Sequence, residues 1–138
     1  MFSQALSQLN WLHVLVATVA FFILGALWYS PVLFAKKWTQ LNAIDMSGDK
    51  KGMGAIMFAS FVLMFIACTG LAGLQQVLPV ADAMGGIKLG LLTGICFSAT
   101  AISISYLYVK KAVALHFIDW GYQVVGMTLA SFILAIWH

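Results

Sequence analysis

The sequence predicts an all-α fold, a four-helix bundle integral to a membrane, and three observations predict it. Of 138 residues, 63% are hydrophobic and only 8% are charged, against about 25% charged in a soluble domain. Four apolar stretches reach the ~20 residues that an α-helix needs to cross a hydrocarbon core of about 30 Å. The seven basic residues, all Lys, gather mainly in two of the connections, the asymmetry expected of membrane loops.

Met1 to Asn10 carries no Lys or Arg. It lacks the basic start of a secretory signal, so the first helix is expected in the mature protein. The first span is read from Trp11 to Phe34 and the second from Met53 to Leu78, joined by the one sizeable polar stretch, Ala35 to Gly52. Pro79 to Gly86 forms a turn into the third span, Ile87 to Val109, and Lys110 to His116 closes the hairpin to the fourth, Phe117 to Trp137. Nothing remains for a second domain, so residues 1–138 are read as a single membrane unit.

Lys36, Lys37, Lys50 and Lys51 lie in the first loop and Lys110 and Lys111 in the third, whereas the middle loop offers Asp82 and the marginal Lys88. Loops one and three are therefore expected in the cytoplasm of a bacterial inner membrane, with both termini outside. The aromatic residues agree, because Trp and Tyr favour membrane interfaces. Trp28, Tyr29, Trp38, Tyr106, Tyr108, Trp120 and Tyr122 fall near the cytoplasmic ends, and Trp11 and Trp137 mark the outer ones. A few loop lysines make no nucleic-acid-binding face, so the expected partner is the lipid bilayer. Cys68 and Cys96 sit in apolar runs away from any His cluster, which indicates neither a metal site nor a disulfide framework. Their similar distance from the Asp82 turn gives them a shared depth, and contact between them then depends on helix rotation.

Lipid supplies no hydrophobic drive between helices, so small residues should mark the contacts. Gly86, Gly90, Gly94 and Ser98 recur every fourth residue on the third span, and Ala101 and Ser105 continue the stripe. It serves either packing within one bundle or a subunit interface. On the fourth span His116, Asp119, Gln123, Gly126 and Ala130 share a face, with Tyr122 on its flank. A bundle this small is expected to form a homo-oligomer.

Asp119 is the most informative residue, since an aspartate at a membrane helix centre costs about 2.5–3.5 kcal/mol on insertion scales. Lying about two residues into its span, it is expected either to pair with Lys110, Lys111, Lys36 or Lys37 or to take part in ion or proton movement. Trp28, Tyr29, Ser30 and Pro31 share its depth. If the first helix runs on past Pro31, it should kink and free the Leu27 carbonyl, giving an oxygen-rich pocket for a small cation or proton; otherwise Tyr29 and Ser30 satisfy the broken backbone. His116, three residues before Asp119, stands where a carboxylate can orient an imidazole. His13 and His138 fall at the outer surface and make no metal site.

Asn10-Trp11-Leu12, Gly25-Ala26-Leu27-Trp28-Tyr29-Ser30-Pro31 with Phe34 and Trp38, Gly90-Leu91-Leu92-Thr93-Gly94, and Ile118-Asp119-Trp120-Gly121-Tyr122-Gln123-Val124-Val125 together resemble an uncharacterised, mainly bacterial membrane family catalogued as domain of unknown function one-seven-six-one. The likeness covers nearly the whole chain. It implies four membrane helices and brings no established activity. Trp28, Tyr29, Ser30, Pro31, Asp119, Gly121 and Tyr122 match its motifs, while Gln123 stands where the family pattern carries His, so no relay through an imidazole is expected there.

The expected function is an oligomeric channel or transporter for an ion or small solute, with a polar path of Asp119, Tyr122, Gln123, Tyr29, Ser30, Pro31 and His116. The alternative is a structural or accessory membrane protein. No Ser/His/Asp set, paired carboxylates, HExxH or phosphate loop is present, so neither an enzyme nor a cofactor is expected. An enzyme acting on a lipid or quinone would need a lateral opening near Tyr29 and Asp119.

Overall fold

The computed structural model describes residues 2–42 and 52–137. Within them the chain is helical: α1 (Phe2–Ser7), α2 (Trp11–Trp28), α3 (Ala35–Asn42), α4 (Met53–Val77), α5 (Ala83–Thr93), a π-helical segment (Gly94–Ala99), α6 (Thr100–Tyr108) and α7 (Val113–Ile136). Four stretches are long and apolar enough to cross a membrane, namely α2, α4, the continuous rod Ala83–Tyr108 and α7. The chain is thus a multi-pass membrane protein. Lys50, Lys51 and His138 lie outside the described residues.

Local chemistry sets the helix ends. Asn10 caps α2, its Oδ1 accepting the backbone N–H groups of Leu12 at 3.0 Å and His13 at 3.3 Å, and Asp82 caps α5 by accepting from Gly85 N–H at 2.8 Å. The first span is shorter than the expected Trp11 to Phe34. Proline disfavours the α conformation in the residue before it and has no N–H to donate, so α2 stops at Trp28 and a tight turn carries Pro31. That turn is closed by the N–H of Leu33 on the Ser30 carbonyl and of Phe34 on the Trp28 carbonyl. The polar helix α3 follows, with Lys36 and Lys37 exposed and Trp38 half-buried. At the other junction α7 begins at Val113, four residues before the expected Phe117, so Asp119 is its seventh residue.

α7 is the axis of the bundle. Eleven of its residues are buried, against four or five in each of α2, α4 and α5. The contact with α5 is nearly backbone to backbone. A Cβ placed on Gly86 would lie 2.4 Å from the Ala135 Cβ, one on Gly90 2.4 Å from the Thr128 Cα, and one on Gly94 2.8 Å from the Val124 Cα. The glycine stripe therefore faces α7 of its own chain, the packing mode that small residues permit in lipid. Between α2 and α7, rings rest on glycines in both directions. Phe21 covers Gly126, Trp28 covers Gly121, and Tyr122 of α7 lies over Gly25 of α2. Ala130 is fully buried. α1 folds back onto α4, where Gly73 leaves room for Phe2 and Leu6. Cys68 is buried in the core and Cys96 faces outward on the π-helical segment, both as free thiols, so rotation separates the pair despite their similar depth.

Ser98 is half-buried, and Ala101 and Ser105 are exposed; the expected continuation of the stripe thus fails beyond Gly94. The π-helical segment is the reason. A regular helix turns about 100° per residue, which would carry Ala101 and Ser105 to within ~20° of Gly94. A π-helical turn absorbs an extra residue and shifts everything after it by roughly one residue's rotation, moving those two off the α7 face.

Gly90→Ala should lower stability by about 1–3 kcal/mol, because the new methyl meets backbone that cannot yield locally. Gly70 has nothing within 4 Å of its would-be Cβ, so Gly70→Ala should leave the melting temperature in detergent unchanged or raise it through helix propensity. Thermal unfolding of both variants followed by circular dichroism checks the contrast.

Candidate functional site

The same rotation that removes Ala101 and Ser105 brings Tyr106 in. Counted from Gly94, Tyr106 would lie ~120° away on a regular helix; with one residue absorbed it returns to within ~20° of the α7 face. Its hydroxyl donates to Oδ2 of Asp119. The other carboxylate oxygen, Oδ1, accepts from the hydroxyl of Tyr29, the first residue after α2. Asp119 itself is 6% exposed. Three segments distant in sequence thus converge on one carboxylate, each placed by a helix end, a helical irregularity or a glycine contact.

Aromatic packing encloses the cluster. Tyr122 meets Tyr29 edge to face at 5.3 Å between ring centroids and meets Phe21 at the same distance. Trp28 donates its indole N–H to the Ile118 carbonyl at 3.0 Å, anchoring the end of α2 to the start of α7. Ser103 Oγ accepts from the indole of Trp120 and lies 3.4 Å from His116 Nδ1.

These contacts revise several expectations. No lysine pairs with Asp119 among the described residues. Lys36, Lys37 and Lys110 are exposed, and Lys111 donates to Asn42 Oδ1 at 3.1 Å. The helix bearing Asp119 starts a turn earlier than expected, so the carboxylate is deeper than the lysines and level with the phenols. The Leu27 carbonyl is not free either, since it accepts from both the N–H of Ser30 at 3.1 Å and the Ser30 hydroxyl at 2.6 Å. Ser30 therefore serves the turn and leaves Asp119 to the tyrosines, and Pro31 is exposed. His116 is buried, but its ring nitrogen approaches Ser103, and its nearest aromatic partner is Tyr106, edge to face at 5.3 Å. Gln123 is half-buried with no hydrogen-bond partner among the described residues.

Tyr106 and Ser103 are the members of the cluster that sequence reasoning passes over. A regular helical wheel turns Tyr106 away from α7, and its place near a membrane interface already explains a tyrosine. Chemically, the site holds one carboxylate with each oxygen accepting from one neutral O–H donor. Charge-assisted bonds of this kind are each worth about 1.5–3 kcal/mol, enough to offset the transfer cost of the aspartate. Among the described residues, no three His, Cys, Asp or Glu side chains converge on a common point.

One family model, described as Protein of unknown function (DUF1761), matches residues 12–135. Among curated proteins and among solved structures, nothing matches the chain.

Deleting one exposed residue of the π-helical segment, Phe97, should restore a regular helix that leaves Tyr106 about eleven positions after Gly94 and still within ~20° of the α7 face. The deletion should then cost little stability in detergent unfolding, whereas Tyr106→Phe should destabilise by about 1–3 kcal/mol with or without it. A Tyr106→Phe loss that vanishes in the deletion background would mean that the segment does more than accommodate one extra residue.

Proposed function

We infer that this chain, which belongs to the family Protein of unknown function (DUF1761), carries a proton or small monovalent cation across the membrane, with the Asp119 carboxylate as its binding site. One observation carries the reading: a buried carboxylate held on both oxygens by phenol hydroxyls, with no basic side chain paired to it among the described residues. Ionisable groups inside a membrane bundle are expensive and mark ion or proton routes. A single negative charge suits a single positive one.

Buried polar groups along the bundle support the same reading. From Asp119 the series runs through Tyr122, then Thr18 and Cys68, to Gln75, whose side-chain NH2 donates to the Ser131 carbonyl at 2.8 Å and its hydroxyl at 2.9 Å. Beyond them a cavity of about 230 Å³ opens at the far end, lined by Gln8, Asn10, His13 and Gln76. Phe21 and Leu71 are buried among these groups, so the reading is a gated carrier and not an open channel. The lysines beside the carboxylate end point that end toward the cytoplasm. Self-association belongs to the proposal as well, through the long outward-facing apolar surface of α4.

An accessory role is favoured by the same cluster read differently, because two phenols on one carboxylate tie α2, α6 and α7 together. Flux separates the two. Protein in liposomes should dissipate an imposed pH or K⁺ gradient faster than empty vesicles, and Asp119→Asn should slow this at least tenfold while keeping its helical circular dichroism. Wild-type protein indistinguishable from empty vesicles would leave only the accessory reading.

A further inference from the structure

On the side of the bundle away from α5 lies a groove of about 830 Å³, bounded by α2, the turn at Pro31, α3 and α4. Its volume is that of a site for a sizeable organic ligand. Its walls are almost wholly apolar and include Phe22, Ile56 and three methionines, Met53, Met57 and Met64. Ile56 and Met57 are 61% and 46% exposed, so the groove opens sideways to the hydrocarbon region and has no aqueous mouth along that length. The α3 end is different. There Lys36 lies exposed on the rim, and the indole N–H of Trp38, another lining residue, is buried without a hydrogen-bond partner among the described residues.

We propose that this groove binds one anionic glycerophospholipid, with an acyl chain along α2 and α4 and its phosphate and ester oxygens at Lys36 and Trp38. The division of the groove selects that chemistry. A water-soluble anion has no use for the apolar walls, and a bare hydrocarbon leaves the Trp38 N–H unpaired, at a cost of about 1–3 kcal/mol. Protein covers that N–H in this conformation, and a turn of the half-buried Trp38 ring brings it to an ester or phosphate oxygen at the depth where tryptophan indoles meet lipid head groups. The ammonium of Lys36 favours a head group with net negative charge, since a zwitterionic lipid brings a competing cation. Methionine side chains adapt to chains of different length and unsaturation. This inference stands apart from the transport reading, because lipid is held whether or not an ion moves.

The full-length protein, purified and delipidated, is incubated with phosphatidylglycerol or phosphatidylcholine in mixed micelles, and retained lipid is counted by native mass spectrometry. One phosphatidylglycerol should be retained per chain in preference to phosphatidylcholine by roughly fivefold, the effect of one lysine beside an anionic head group. Lys36→Gln should erase the preference, Trp38→Phe should weaken both lipids, and Met57→Trp should displace both by filling the groove. Equal retention of the two lipids by the wild-type protein, unaffected by Met57→Trp, would overturn the proposal in favour of loosely associated bilayer lipid. A Met57→Trp variant that keeps its lipid but loses a dimeric mass would overturn it in favour of a second copy of the chain. Lys36 is exposed, so Lys36→Gln folds and decides the question even where Met57→Trp does not.

Discussion

A carboxylate inside a membrane bundle must find its hydrogen bonds in protein, and Asp119 finds them in two phenols that reach it from different helices. Each requirement of that arrangement reaches back into the fold. Tyr29 is the first residue past α2, whose end is set by the turn that carries Pro31, and it leaves the helix on the side where Gly25, one turn earlier, meets Tyr122 of α7. Tyr106 is available because the third span contains a π-helical turn. The glycine contacts with α7 then hold both phenols near enough to donate. Lysine is a poor substitute here, since an ammonium at this depth carries its own desolvation cost. Neutral donors bond both carboxyl oxygens without bringing a second charge to that depth.

The packing follows from the solvent. Apolar side chains gain little from meeting one another when the alternative is lipid, so shape and close approach carry more of the stability than in water. Two solutions are combined around α7. Against α5, glycines remove side chains and let backbones touch. Against α2, rings are seated on glycines, with Phe21 on Gly126, Trp28 on Gly121 and Tyr122 on Gly25. The reciprocity of that second contact fixes the rotation of α2, and through it the direction in which Tyr29 leaves the helix. α4 contributes fewer buried residues and carries the apolar outer surface.

Sequence reasoning reads the coarse architecture well because hydropathy and small-residue spacing are summed over many residues. The four spans, the glycine stripe on α7's partner and the inward face of α7 all have that character. What it misreads are single-residue events. Whether a helix continues past Pro31 or stops before it turns on one missing N–H, and the answer decides whether the Leu27 carbonyl is free or is taken by Ser30. The π-helical turn has no compositional signature in Gly94 to Ala99, yet it exchanges the facing set from Ala101 and Ser105 to Tyr106. The start of α7 is ambiguous for a related reason, because Val113, Ala114 and Leu115 read equally well as loop or helix until Leu115 is seen to be buried.

Tyr29 belongs to two environments at once, and that position has a mechanical consequence. Its hydroxyl holds Asp119, while its ring forms part of the wall of the lateral groove. Tyr122 shares the wall and packs edge to face on Tyr29. Anything seated in the groove therefore presses on the residue that satisfies the carboxylate. A ligand shifts an equilibrium only by its differential affinity for the two states, so lipid in the groove can bias the Asp119 cluster only as far as its fit depends on where the Tyr29 ring stands. A flexible chain against methionines conforms to either ring position and couples weakly; a rigid or branched one does not. Coupling is also reciprocal. If occupation of the groove fixes Tyr29 against Asp119, then a cation that draws the carboxylate away from Tyr29 must loosen whatever occupies the groove.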